Sequence, residues 1–357
     1  MAQAQDITVN QLPSLTWNWL RMNETGVKQV EITKEASVDR KVPEAVKMAV
    51  KDAPSMQDVK SGVGADLDKV LEGNVSYTTL DVADGVKVED PIVLKFDYKD
   101  GENAGSAHEI TLGKGAEATV IMIFESAEDA AGTGASQIKY RLAEDALLHI
   151  VQVQRMGRGM RFFNDIGGDH KDKSRYELIQ IVLTGKETYL GSYSNLAGKS
   201  SSIRTDTAYV VQGSDSLDMN FDAYQTGKKT DSLMNVYGDL RDQAKKIYRG
   251  TIDFRKGAAE STGAEQEDVL LNDDDVVNRT IPLILCDEED VEGTHGATIG
   301  RLDEGLMFYL ESRGIVKEAI YEMMARARVE RVANLIKDEE TKKYVIDYLD
   351  STKKLDD

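Results

Sequence analysis

The chain has 357 residues, 41% of them hydrophobic, and its 63 acidic against 44 basic side chains give a formal net charge of −19. That is enough apolar material for a large core, and the acid excess argues against a surface that binds nucleic-acid phosphates. Neither a run of eighteen apolar residues nor a basic stretch leading into an apolar one occurs, so membrane insertion and export are not indicated and a cytoplasmic location is expected.

Residues 1–75 read as a small, partly helical lead-in. Leu15, Trp17, Trp19 and Leu20 lie close together, and residues 43–50 and 65–71 have helical apolar spacing. Both tryptophans of the chain fall here and are expected to dock on the adjacent body, with a partner as the alternative. From 76 to 299 the pattern changes to short alternating segments punctuated by Gly, Asp and Asn. Leu217, Met219, Phe221 and Ala223 alternate with Asp218, Asn220 and Asp222, the period of a strand with one buried face. Residues 118–124, 147–153 and 176–183 are more continuously apolar, as strands buried on both faces are. Gly185, Gly198, Gly213, Gly227, Gly238 and Gly250 recur every 11 to 15 residues, which suits either stacked coils or a sandwich of hairpins.

Several features of this body carry chemical potential. Arg155, Arg158 and Arg161 sit among glycines, but without the strand, glycine loop and helix that cradle a phosphate, so a loop between strands is expected. The acidic runs 273–275 and 287–290 lack calcium-loop spacing and read as solvated turns. His108, His149 and His170 have no evident partner set, and His149 is expected to be a packed or edge residue. Cys286 is the single cysteine, which rules out an internal disulfide framework and a cysteine-only metal cage. Strand parity puts it on the face of Ile284, and a buried structural thiol is expected, with a reactive or ligating one as the alternative. His295 stands between Gly293 and Gly296. With Asp290 and Glu292 nearby it offers a nitrogen donor beside oxygen donors, a set suited to iron or zinc, although a lone histidine in an acidic turn is commonly just solvated.

Beyond Gly300 the period becomes helical and residues 300–357 form a C-terminal helical segment. Leu302, Leu306, Tyr309 and Leu310 share a face, and Gly314 ends this first helix. The next helix has two stripes. Val316, Ile320, Met323 and Ala327 are expected to face the preceding helix or the body, while Val329, Val332, Ala333 and Ile336 remain for the final segment or for a partner.

The run from His295 to Glu304, H-G-A-T-x-G-x-L-D-E, followed by F-Y-L-x-S-R-G-I from Phe308 to Ile315, closely resembles the C-terminal signature of the SufB/SufD family of iron–sulfur cluster assembly scaffolds. Upstream, Tyr248, Gly250, Ile252 and Phe254, then Gly257, Ala258, Gln266, Leu270, Leu271, Asn272, Pro282, Asp290 and Val291 extend the likeness. The resemblance implies a mainly β fold: a right-handed parallel β-helix between the lead-in and the C-terminal α-helical domain. It also implies a non-catalytic scaffold that pairs with a SufB-like subunit or with itself through the β-helix, and docks a SufC-like ABC ATPase through its C-terminal helices, the second stripe being the expected contact. An iron–sulfur cluster or iron would be held transiently at a subunit interface, with His295, Glu292 and Cys286 as candidate ligands. Only His295 matches the family cleanly. Many SufD-like proteins have a cysteine where this chain has Gly293, and the SufB-like cysteine further upstream has no counterpart, so the chain looks SufD-like. ATP hydrolysis would belong to the partner, since no G-x-x-x-x-G-K-[ST] loop occurs. Two alternatives remain: a β-helical carbohydrate-active enzyme using Asp273, Asp274 and Asp275, and a purely architectural subunit with His295 inert.

Overall fold

The computed structural model describes residues 4–352; the outer ends of the first and last expected segments, 1–3 and 353–357, lie outside that range. The lead-in contains β1 (Gln5–Val9), β2 (Thr25–Val30), β3 (Lys34–Glu35), β4 (Ser37–Lys41), β5 (Val46–Lys51) and α1 (Ala65–Leu71). The body follows as β6 (Tyr77–Val82), β7 (Ile92–Tyr98), β8 (Glu102–Leu112), β9 (Glu117–Ser126), β10 (Ala131–Leu142), β11 (Leu147–Arg155), β12 (Gly159–His170) and β13 (Arg175–Thr184). It continues as β14 (Glu187–Leu196), β15 (Ser202–Val211), β16 (Ser216–Gln225), β17 (Asp231–Leu240), β18 (Lys245–Phe254), β19 (Ser261–Leu271), β20 (Val277–Cys286) and β21 (Val291–Gly300).

Even-numbered strands from β6 to β20 form one sheet and odd-numbered strands from β7 to β21 the other, each strand parallel to the one a full coil away. The result is a parallel β-solenoid of about eight coils. One coil takes 26 to 32 residues, as the pairs Arg161 with Glu187 and Lys245 with Val277 show. The glycine spacing seen in the sequence is therefore half a coil, which decides for stacked coils over hairpins. Coil stacking is held at one corner by a column of left-handed residues: Asp145, Lys173, Ser200, Lys229 and Glu260, with φ between 57° and 63°. Each donates its N–H to a carbonyl of the next corner, for example Lys173 to Lys199 at 2.8 Å and Ser200 to Lys228 at 2.8 Å. Each of these non-glycine residues gives up about 1 kcal/mol to its backbone conformation, and the inter-coil bond offsets that cost. Gly198 and Gly250 serve a different need, close approach. A Cβ on Gly198 would sit 2.0 Å from the Lys171 carbonyl carbon, and one on Gly250 would meet the Glu265 carboxylate at 2.4 Å.

Inside the first coils the core is aromatic, with Phe96 on Phe124 at 5.1 Å and Phe124 on Phe162 at 5.0 Å between ring centroids. The lead-in covers the outer face of the even sheet, packing Ile7, Val30, Leu67 and Leu71 on Ala135, Phe163 and Tyr189. Residues 65–71 are helical as their spacing indicates, but residues 43–50 are not. Val46, Met48 and Val50 also alternate, and β5 pairs antiparallel with β6 while β4 pairs antiparallel with β7, so the open edge of the first coil took the segment as strands. Leu15 to Leu20 form a loop with a 3-10 turn, and the tryptophans do not dock: Trp19 is 99% exposed.

The C-terminal helices are α2 (Glu304–Ser312), α3 (Lys317–Ala333) and α4 (Glu339–Ser351). Asp303 caps α2 by accepting from the Leu306 N–H at 2.9 Å, and Asp338 caps α4 by accepting from Thr341 at 2.8 Å. The stripe Val329, Val332, Ala333 and Ile336, expected to pack on the final segment or on a partner, is buried against Val345 and Leu349 of α4, as the first of these has it, and also against Ile121, Val153, Ile181 and Leu183 of the odd sheet. An apolar sheet face of that size needs a cover, and this stripe is the one that supplies it. The other stripe is outside: Val316 and Met323 are exposed and only Ile320 is fully buried.

Candidate functional site

The solenoid is closed at its start by β4 and β5 and open at its end, where β20 and β21 each pair on one side only. Their second ladders of N–H and C=O groups face outward. His295 lies in the middle of β21, exposed, in register with Glu265 of β19. Strand parity places it with Gly293 and Ala297, which continue the inward-facing row of Gly263, Glu265 and Glu267; no further coil covers them. Glu292 is also exposed, but three residues along a strand is an odd step, so it belongs to the opposite face and is not brought to His295. Cys286 ends β20. Its inward parity is as expected, yet the thiol is exposed rather than buried, because the coil that would bury it does not exist, and it donates to the Glu288 carbonyl at 2.9 Å. Among the described residues, no three His, Cys, Asp or Glu side chains converge on one point.

Just beneath this end, the interior turns from apolar to charged. Lys246 and Glu267 form an ion pair with both side chains sealed from solvent. The Thr280 hydroxyl accepts from the Lys246 ammonium at 2.9 Å and donates to Glu267 at 2.8 Å. Burial lowers the Lys246 pKa. Glu265, in the same row, is pushed up to about 8 by burial and then by the Glu267 charge. None of these three was singled out in the sequence, although parity carried a signal: Lys246 falls on the face of Tyr248, Ile252 and Phe254, the inward one.

Glu265 makes stability depend on pH. Its carboxyl binds a proton in the folded chain up to about pH 8 but, once unfolded, only below its ordinary 4.5, so its contribution is fully favourable below pH 4.5 and is lost as pH rises towards 8. Glu265→Gln is expected to match the wild type in urea denaturation at pH 4.5 and to exceed it by on the order of 2 kcal/mol at pH 9, relaxation at the open end absorbing part of the shift. Parallel pH profiles for the two chains would refute this.

The remaining sequence candidates have structural places. His149 pairs with Glu177 at 2.9 Å on the outer face of β11. His108 and His170 are buried in the core and burial holds both pKa values down to about 3. Arg155 lies over the rings of Tyr344 and Tyr348, and Arg161 pairs with Glu187 at 2.7 Å. Asp273 accepts from the Asp242 N–H at 2.6 Å and Asp274 pairs with Arg301, so two of the three carboxylates in that run hold turns.

A family model described as "SUF system FeS cluster assembly, SufBD core domain" matches residues 98–328, more than half of the chain. The iron–sulfur cluster assembly protein SufD of Bacillus subtilis is 25% identical over 189 residues, covering 53% of this chain and 43% of that protein. SufD of Escherichia coli is 24% identical over 277 residues, covering 76% of this chain and 65% of its own length. A SufBD family protein of Pyrococcus horikoshii is 25% identical over 280 residues, 76% of this chain and 78% of that protein. The matches thus span less than two thirds of the two SufD proteins. No helix among the described residues is long and apolar enough to cross a membrane. With the family model laid over most of the solenoid and the terminal signature running from its last strand through α2, this chain belongs to the SufBD family of SUF-system iron–sulfur cluster assembly proteins and is SufD-like.

Proposed function

We propose that the chain is a non-catalytic scaffold subunit of a cytoplasmic SUF-type assembly complex, pairing end to end with a SufB-like subunit and contributing the His295 imidazole to a site for iron or a nascent cluster. The observation that carries this reading is the position of His295 on a terminal strand that is paired along one edge only. A second solenoid adding its own last strands would satisfy the open ladders and enclose His295 between the two chains. The donor count supports a shared site. A stable cluster has four ligands, mostly thiolates, whereas this end supplies one imidazole, the exposed Cys286 thiol and Glu292 on the opposite strand face. An imidazole in place of a thiolate suits cargo that must be released. The resemblance further suggests that the helices dock a SufC-like ABC ATPase. Because the inner stripe is occupied by the solenoid, the surface free for that role is α2 with the outer stripe: Leu306, Phe308, Tyr309, Val316 and Met323, with Phe308 74% exposed.

The test is anaerobic reconstitution of the co-purified complex. His295→Ala is expected to leave the complex assembled, since the side chain is exposed, while iron and acid-labile sulfide fall several-fold. Cys286→Ser run in parallel reports whether the exposed thiol is a second donor. Unchanged iron content and spectrum in the His295→Ala complex would remove the ligand role and leave an architectural subunit.

A further inference from the structure

The loop between β1 and β2 holds four large apolar side chains in solvent: Leu15 at 54% exposure, Trp17 at 39%, Trp19 at 99% and Leu20 at 55%. Its base is the opposite of mobile. Asn10 donates to the Asp218 carboxylate of β16 at 2.8 Å, and the fully buried Arg249 of β18 donates to the Met22 carbonyl at 2.7 Å and pairs with Asp218 at 2.5 Å. Leu12 and Met22 are buried on Ile281, with Leu283 alongside, both on the terminal strand β20. The tip is braced from within: Asn23 accepts from the Trp17 N–H at 2.7 Å and donates to Asn18 at 2.6 Å. The anchors step outward from β16 through β18 to β20, so the tip is carried to the open edge of the solenoid.

We infer that this loop is an aromatic clamp for the end-to-end interface, and that its occupant is a homologous solenoid subunit with a basic terminal rim rather than a second copy of this chain. This rests on the pairing proposed above and adds a contact and a selectivity to it. A preformed loop presenting two tryptophans loses little conformational entropy on binding, and indole rings are among the strongest anchors of protein interfaces. Continuity with the unpaired edge of β20 points to a partner that also satisfies that edge. Charge chooses between partners. The corner turns of the last coil, 273–275 and 287–290, are acidic at all seven positions and mostly exposed. In a two-fold pair of identical chains each end would meet the same acidic rim, whereas a basic rim is attracted.

The test uses the full chain labelled with 5-fluorotryptophan, whose only two reporters are Trp17 and Trp19, and the homologous solenoid subunit of the same organism as the probe. The chain alone is expected to stay monomeric at moderate salt. Adding the probe should form a salt-sensitive complex and shift both fluorine resonances, and the Trp17→Ser/Trp19→Ser chain should bind at least ~10-fold more weakly. Its fold is checked by circular dichroism, with Trp19→Ser alone as the milder variant at a wholly exposed site. A complex that forms equally well with the double variant and leaves the resonances unmoved overturns the clamp while leaving end-to-end pairing intact. No complex with the unaltered chain fails the pairing itself. A tryptophan-dependent dimer of the chain alone, or resonances that move only when an ATPase subunit is added, overturns the assigned occupant.

Discussion

Lys246→Met is expected to destabilise the chain by roughly 3–5 kcal/mol, the cost of leaving a buried carboxylate without its counter-charge. Glu267 would keep only the Thr280 hydroxyl at 2.8 Å, and Glu265, already a neighbour whose ionisation is disfavoured, would lose the one cation that moderates it. The loss should be largest at alkaline pH, where Glu265 too is driven to ionise. Pairing the change with Glu267→Gln should recover most of the stability, because the pair taken together repays little more than its desolvation. Urea denaturation of the two variants, with hydrogen exchange on β18 and β19, would show this. Equal stability of Lys246→Met and wild type at pH 8 would mean that water reaches Glu267 from the open end and that the interior there is not sealed.

Val332→Asp is expected to cost about 4 kcal/mol or more, enough to detach α3 and α4 from the odd sheet. Val332 has no exposure and sits where the helix meets the sheet, so an aspartate there must either stay neutral or carry an unpaired charge into an apolar layer. The polar contacts beside this layer lie at its rim: Arg328 with Asp268 at 2.8 Å and the Arg331 guanidinium over the Tyr237 ring. Hydrogen exchange should show fast exchange across α3 and α4 with the solenoid strands still protected. Met323→Asp on the outer stripe is the control and should leave stability nearly unchanged. A soluble, fully protected Val332→Asp chain would show that the stripe is a docking face after all.

Much of this protein is set by local pattern. Alternation along 217–223 and 248–254 is a property of a strand wherever it is placed, and Gly185, Gly198, Gly213 and Gly227 mark corners while Gly238 and Gly250 lie within strands. The change to helical period at Gly300 and the two-striped α3 follow from residue order alone. So does the joint signature from His295 to Ile315, since no single strand or helix demands all of those identities at once. The parity of Cys286 was also legible. Its exposure was not, because burial of an inward side chain depends on whether another coil follows, and that is a fact about where the stack stops. The same reason leaves His295 uncovered. Closeness in sequence suggested a site shared with Glu292, while the pleat sends the two side chains to opposite faces. Periodicity pointed to the wrong stripe of α3 as the inward one, for both are apolar, and it was the exposed face of the odd sheet that chose. Residues 43–50 fit either period until the unpaired first coil claimed them as strands. The buried charges of Lys246, Glu265 and Glu267 rest on contacts between β18, β19 and β20, strands from half a coil to a full coil apart, and the exposure of Trp19 on the reach of a loop anchored more than two hundred residues away. Sequence thus determined the elements and the coil period; tertiary structure decided the ends, the covers and the pairings, because burial is a property of neighbours that the coil brings from far along the chain.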